Sequence, residues 1–376
     1  MNTIFDYLEW RGDLPVSDVP FNEVDAAILA RFAYEPLDGI ASSDFRRSVT
    51  IGECCHVLMN DPALDVKVLM PELDRRFISL MYESKRFGDM RVSGFVNEID
   101  IERQTQFAAM VFELDDEGDY YLAFRGTDNT IIGWKEDFNM GFEFPVPAQH
   151  MAVEYYENAA GKLKEGTFYI GGHSKGGNLS VYTAAFCNAS CQRMIKNVYN
   201  FDGPGFNENI MNRLEFAAVE KKILTFVPQF SVVGMILEHL EDYSVVPSNA
   251  GGINQHELLT WGVYRDGFTK LESVDRGSRF VDNTLKDWLK DLDRDSREQF
   301  VDTLYKIMTG GDQVMLSDFK NMKAENINAI IRTYGELDDK TKSGVKMTLK
   351  KLAKSAGERL MAKASRISDK RDNVVQ

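Results

Sequence analysis

The sequence predicts an α/β protein with a mostly parallel central sheet, extended at its C-terminus by a helical segment. Three observations carry that prediction. Between about residues 92 and 270, short β-branched and aromatic runs alternate with helical periodicity, the pattern of strands joined by covering helices. One such run, Phe168-Tyr169-Ile170, passes through Gly171-Gly172-His173-Ser174-Lys175-Gly176-Gly177 directly into helix-forming residues, a sharp strand-to-helix turn. From about Asn283 onward only helical periods remain, interrupted at Gly310-Gly311 and Gly335.

The chain of 376 residues is long for a single core, so it divides on this reading into a main domain, 1–280, and a helical extension, 281–376. With 44% hydrophobic and 27% charged residues it is expected to be globular, and its formal charge of -14 argues against nucleic-acid binding because an acidic surface repels phosphates. Cys54, Cys55, Cys187 and Cys191 lack metal-ligand spacing, and the five histidines include no pair at ligand spacing, so neither a metal nor a cofactor is expected. The opening MNTIFDYLEWRGD has no basic region followed by an apolar core, and no window of about 18 consecutive apolar residues occurs. The expected compartment is the cytoplasm.

Residues 1–20 mix aromatics with Pro15 and Pro20 and read as an irregular arm or short helix. Asn22 is placed to cap a helix carrying Val24, Ile28 and Phe32 on one face, with Asp25 completing a capping box. A second helix is predicted from Pro71 through Leu73, Phe77, Leu80 and Met81. Strands are predicted at Phe95–Ile99, Thr105–Leu114 and Tyr120–Phe124, the last two joined by an acidic hairpin loop ending at Gly118-Asp119. After Phe124-Arg125-Gly126-Thr127-Asp128 come Ile131, Ile132, Trp134 and Phe138 among charges, then Phe142-Glu143-Phe144-Pro145-Val146-Pro147. This apolar, proline-broken stretch is either a lid and acyl-chain contact surface or an ordinary connection packed on the core.

A helix over about 151–163 leads into the central strand, and further strands are expected at Val198–Asp202, Ile223–Val227 and near Trp261–Tyr264, turning at Asp266-Gly267. Helical periods follow at 283–292, 296–308, 316–334 and 339–364. The last sets Val345, Leu349, Leu352, Ala356 and Leu360 on one face and Lys346, Lys350, Lys351 and Lys354 largely off it. Such a helix either docks on its own domain with a solvated basic face or lies on an anionic membrane or a protein partner.

Gly172-His173-Ser174-Lys175-Gly176 fits G-x-S-x-G, the nucleophile turn of α/β-hydrolases: glycines without a Cβ allow the tight turn, and Ser174 Oγ projects above the sheet edge. The amide of Lys175, at the start of the following helix, is aimed at a developing oxyanion. In that fold the acid and then the histidine follow the serine, which leaves His239, in the stretch Ile236–Leu240 that reads as helical, and His256, in the polar loop Asn254-Gln255-His256-Glu257. The loop is the better place for a base, so His256 is favoured. His173 reads as a packing residue, since neighbours along a strand point to opposite faces, and His56 and His150 precede the serine. For the acid, Asp202 in Asp202-Gly203-Pro204-Gly205-Phe206 is favoured, with Asp242 the alternative.

These motifs resemble a known family. Phe124-Arg125-Gly126-Thr127 followed by Trp134, Glu136 and Asp137, and then Gly-His-Ser-x-Gly-Gly, is similar to the class 3 (fungal-type) lipase pattern. Ile4-Phe5-Asp6-Tyr7-Leu8, Trp10-Arg11-Gly12-Asp13, Asp202-Gly203-Pro204-Gly205-Phe206 and Gln255-His256 resemble more closely the bacterial Mbeg1-like α/β-hydrolases common in Firmicutes. The likeness spans about residues 1–270. It implies Ser174 as nucleophile, His256 as base and an oxyanion hole formed by Lys175 with Thr127. In class 3 lipases the acid follows the next strand, yet the matching slot, Val227-Pro228-Gln229-Phe230-Ser231-Val232-Val233, holds no carboxylate. The expected function is hydrolysis of a small acyl or glycerol ester through an acyl-enzyme at Ser174; the alternative is a non-catalytic hydrolase-like protein that binds a lipid or a partner.

Overall fold

The computed structural model describes residues 1–275, apart from 115–117, 129–130, 141–142, 164–165, 208–209, 211–212, 236, 238 and 240, together with a few isolated positions beyond 275. Two compact units are distinguished: Met1–Asp128 with Pro145–Asp275, and Asn129–Phe144 with Arg276–Gln376. The segment 129–144 thus groups with the C-terminal unit. The helical periods expected after residue 283, and with them the basic amphipathic face, lie outside the described residues.

The N-terminal arm folds into helices set by their own caps. α1 (Ile4–Arg11) follows Thr3, whose amide donates to Asp6 Oδ2 at 2.7 Å. α2 (Glu23–Phe32) has the expected capping box: Asn22 Oδ1 accepts the amides of Val24 at 2.8 Å and Asp25 at 3.2 Å, and Asp25 Oδ2 accepts the Asn22 amide at 2.9 Å. A helix not foreseen from the pattern, α3 (Ile51–Met59), starts from another capping box, Thr50 with Glu53. The short α4 (Leu64–Lys67) precedes α5 (Pro71–Glu83), which has proline in its first turn, where a missing N–H is harmless.

The sheet has eight strands: β1 (Val49–Thr50), β2 (Arg91–Asp100), β3 (Thr105–Glu113), β4 (Asp119–Phe124), β5 (Thr167–His173), β6 (Ile195–Phe201), β7 (Ile223–Pro228) and β8 (Tyr243–Val246). Their order in the sheet is their order in the chain. β1 to β4 pair antiparallel and β4 to β8 pair parallel. β2 and β4 to β8 therefore run one way, and the sheet is mostly parallel. The strand expected near Trp261–Tyr264 is a separate two-residue hairpin, β9 (Val263–Tyr264) with β10 (Gly267–Phe268), and β8 was not anticipated. Connecting helices are α6 (Ile131–Asn139), in the second unit, and α7 (Pro147–Leu163), α8 (Lys175–Phe186) and α9 (Ala189–Met194) in the first.

Strand order decides how the sheet is covered. Parallel crossovers are right-handed, so strands added successively in one direction leave their helices on one face. α7 and α8 lie together on that face, with Tyr155 against Phe124 and Tyr156 against Phe168. The opposite face is covered by the N-terminal arm: α2 lies over β4, β5 and β6, and Phe32 meets Phe77 and Phe112 at 6.4 and 6.0 Å. Side-chain parity follows, because Tyr121, Tyr169, Tyr199 and Phe226 point into the arm's core while Phe124 and Phe168 point away. Asp25, besides closing its cap, holds the buried Arg86 guanidinium at 2.5 and 2.7 Å and accepts from Tyr7 Oη at 2.9 Å, tying α1, α2 and the segment after α5 together. These fasten a layer that has no strand of the parallel half within it.

Candidate active site

Ser174 stands at the C-terminal end of β5 with φ 57° and ψ -131°, a backbone geometry that L-residues rarely hold without support. Its amide donates to the Phe201 carbonyl at 2.9 Å and its carbonyl accepts from the Gly177 amide at 2.9 Å. The neighbouring glycines are required by close approach: a Cβ at Gly172 would collide with the Gly176 backbone and the Phe124 carbonyl, and one at Gly176 with the Phe124 carbonyl. A Cβ at Gly126 would reach Tyr34 Oη and the His173 carbonyl and stand 2.9 Å from Ser174 Cβ, so the loop carrying Thr127 runs directly beside the serine. Arg125 fixes that loop, donating to Asn97 Oδ1 at 2.8 Å and Asp128 Oδ2 at 3.1 Å.

Lys175 is the first residue of α8, and an amide in the first helical turn has no intrahelical acceptor. Its side chain turns into the protein, where Nζ donates to the Gln106 carbonyl at 2.6 Å and to Gln106 Oε1 at 3.0 Å. The far side of the turn is fastened by Asn178, which accepts from Gln149 at 2.8 Å and donates to the carbonyls of Pro204 and Gly205, both at 3.0 Å.

Asp202 follows β6 directly, with φ 50°, and is 1% exposed. Its amide continues the sheet, donating to the Phe226 carbonyl at 2.8 Å. Oδ2 lies 2.6 Å from His256 Nδ1, and Oδ1 accepts from Ser231 Oγ at 2.5 Å and the Gly234 amide at 3.1 Å. The slot in which the sequence offers no carboxylate thus supplies one donor to Asp202, Ser231, and the residue directly after it, Gly234, supplies the other. Asp242, the alternative acid, is exposed. His239, the alternative base, has its Nε2 2.7 Å from the Gly234 carbonyl and its Nδ1 3.3 Å from Glu241 Oε1, and it does not line the Ser174 cavity. It is not helical, since Leu237 takes φ 67°. His56 and His150 are both exposed.

His256 ends the one-turn helix Gly252–His256. That turn is anchored by Gln255, whose Oε1 accepts the Phe230 amide and whose carbonyl accepts Trp261 Nε1, both at 2.8 Å. His173 does more than pack. Its ring lies 4.3 Å from the His256 ring, and its Nε2 is 2.8 Å from the His256 carbonyl. A carbonyl only accepts, so Nε2 carries the proton and Nδ1 is the acceptor facing Tyr34 Oη at 3.1 Å. Burial above all, with His256 beside it, keeps His173 well below the usual histidine range and therefore neutral.

Ser174, His256, His173 and Thr127 line one cavity of about 280 Å³, walled by Tyr34, Leu69, Met70 and Val233 and bounded by Arg31, Asn254 and Glu257. No hydrogen bond joins Ser174 Oγ to His256 among the described residues; contacts of this kind tighten when substrate is bound. With Nδ1 held by Asp202, Nε2 is the ring nitrogen left for proton transfer. The side chains of Ile131, Ile132, Trp134 and Phe138, read above as a lid or acyl surface, lie outside the described residues, as does Phe142.

Sequence reasoning missed Arg31, Tyr34, Leu69, Met70 and Glu257 as neighbours of the site. A signal existed for the first: Arg31 and Glu35 are charges one helical turn apart at the end of the otherwise apolar run Ala26–Phe32. Both are buried in the structure.

A mostly parallel sheet with a glycine-flanked, positive-φ serine on the strand-to-helix turn at its carboxyl edge defines an α/β-hydrolase-type fold. Within that class the chain belongs to the Mbeg1-like family, whose model matches residues 81–306. No curated protein sequence matches significantly. Among solved structures, the chain is similar to the Rhizomucor miehei lipase in its native propeptide complex, at 16% identity and a TM-score of 0.34, over 52% of this chain and 66% of that one. It is also similar to M37 lipase, at 14% identity and a TM-score of 0.31, over 56% and 68% of the two chains. A third match is a variant of MDLA from Penicillium cyclopium, at 11% identity and a TM-score of 0.36, over 71% and 91%. Among the described residues no helix is long and apolar enough to cross a membrane.

Proposed function

We propose that the protein is a serine ester hydrolase acting on small acyl or glycerol esters. Ser174 Oγ attacks the acyl carbonyl while His256 Nε2 takes its proton, and the amide of Lys175 with Thr127 stabilises the oxyanion. His256 then returns the proton to the departing alkoxide, and the acyl-enzyme is released by a water activated in the same way. Asp202 keeps the imidazole in the tautomer that presents Nε2 as base. The observation that carries this reading is the buried Asp202 carboxylate 2.6 Å from His256 Nδ1, in the cavity that Ser174 also lines. Tyr34, Leu69, Met70 and Val233 give that cavity a largely apolar wall, which suits an acyl chain better than a peptide or sugar.

A fluorophosphonate probe and short p-nitrophenyl esters test the reading together. Labelling and hydrolysis by the wild-type chain, both lost in Ser174→Ala, are expected. A folded wild-type chain that is neither labelled nor hydrolytic would instead favour the binding role, in which the turn persists as architecture around a bound lipid or partner.

A further inference from the structure

We infer that Arg31 is a positioning residue that holds the turn bearing His256 and the rim of the Ser174 cavity through one guanidinium. The inference rests on the ester-hydrolase reading. Arg31 belongs to α2, in the arm that covers the sheet, and is only 2% exposed. Its Nε donates to Glu257 Oε1 at 2.9 Å, its Nη1 to Glu35 Oε1 at 3.2 Å and its Nη2 to Asp74 Oδ1.

Two of these carboxylates pass the constraint on. Glu257 directly follows the proposed base, and its Oε1 also accepts the Leu259 amide at 3.1 Å, capping the next turn of chain. With the His256 carbonyl held by His173 on one side and Glu257 held by Arg31 on the other, the backbone that carries the imidazole is fixed at both flanks. Asp74 uses its second oxygen, Oδ2, to accept the Met70 amide at 2.8 Å. Met70 and Leu69 line the cavity while remaining 37% and 42% exposed, which puts them at its mouth. One cation therefore ties the proposed base to the edge over which an acyl group must enter. Lysine would not replace it, because the planar fork sets three acceptors in fixed directions whereas an ammonium is a point charge.

Hydrogen exchange and steady-state kinetics on the full chain test this with Arg31→Lys and Glu257→Gln. Arg31→Lys is expected to raise amide exchange in both 66–72 and 252–260, and Glu257→Gln in 252–260 alone. Glu257→Gln should also lower kcat for p-nitrophenyl acetate about tenfold with KM within about twofold, since a misplaced base loses rate without loss of substrate contacts. Wild-type exchange in either segment of Arg31→Lys overturns the inference, and so does wild-type kcat in Glu257→Gln. If Arg31→Lys fails to fold, Glu257→Gln decides alone. If the wild-type chain shows no hydrolysis, the ester reading has failed, and the exchange pattern still tests the positioning role.

Discussion

Ser231 Oγ donates to Asp202 Oδ1 at 2.5 Å, on the side of the carboxylate opposite His256. The loop after β7 thus supplies two donors to Asp202, the acid proposed above, which follows the preceding strand, β6. Removing that donor leaves Gly234 as the remaining partner of Oδ1. A hydrogen bond to a charged group is worth about 1.5–3 kcal/mol, so Ser231→Ala is expected to lower kcat by roughly tenfold or more with little change in KM. Steady-state kinetics on a short ester check this; unchanged kcat would mean that Asp202 needs no second support.

Asp202→Asn is expected to preserve the fold, because an amide oxygen can still accept from Ser231 and Gly234, yet to lower kcat by up to about four orders of magnitude. The amide nitrogen would face Nδ1 and force the proton onto the wrong imidazole nitrogen. Asp242→Asn, on the surface, should stay near wild type. The reverse ranking of the two variants would move the acid to Asp242.

Gly126→Ala should impair both folding and labelling, since its methyl would press on Tyr34 Oη and the His173 carbonyl and stand 2.9 Å from Ser174 Cβ. Overpacking of this kind costs about 1–3 kcal/mol. Thermal melting and the rate of fluorophosphonate labelling measure the two effects; a variant equal to wild type in both would show that this loop relaxes away from the serine.

Glu35 gives a pH signature. Burial raises its carboxyl from an ordinary 4.5 to about 8, against the pull of Arg31, and Asp74 and Glu257 around the same guanidinium add to the rise. Between these pH values the folded chain keeps a proton that the unfolded chain has released, so this group's contribution to stability falls as pH rises from about 4.5 to about 8 and then levels off. Glu35→Gln should therefore flatten that part of the profile, with its largest relative gain near the alkaline end. Urea unfolding of both proteins at several pH values decides the matter, and parallel profiles would exclude Glu35 as the source.

The cavity of about 280 Å³ is small for a ligand site. Short p-nitrophenyl esters should accordingly be turned over with higher kcat/KM than palmitate. A chain-length series measures this, and a steady increase through palmitate would show that the cavity opens further in solution.

Much of this was legible in the sequence because the relevant signals are local. The Gly172–Gly176 turn fixes a strand, a serine and a helix within a few residues, and Asn22 with Asp25 announces α2 by a cap whose bonds span three positions. β8 escaped notice because Tyr243-Ser244-Val245-Val246 is too short to show a period, and α3 because its cap pair, Thr50 and Glu53, precedes a mixed run containing Gly52 and two cysteines. His173 illustrates the divide. Strand parity reads it as a packing residue turned away from Ser174, whereas it lines the same cavity, and its bond to the His256 carbonyl joins residues 83 apart and has no local trace. The cluster around Arg31 is of the same kind: the turn from Arg31 to Glu35 is visible, whereas its ties to Asp74 and Glu257 exist only after folding.

The sheet's sequential strand order has a consequence for synthesis. Each strand from β2 to β8 pairs with the one made just before it, so the sheet can grow as the chain emerges. The arm that covers its second face is made first, but Arg31 must wait for Glu257, 226 residues later, and loop closure over such distances is slow. A nascent chain that has passed α8 already contains Ser174, with neither Asp202 and His256 nor the Phe201 carbonyl that accepts the Ser174 amide yet made. On the reading proposed above, Ser174 is thus made well before the residues proposed to activate it, and hydrolysis would have to wait until the first unit is almost entirely translated.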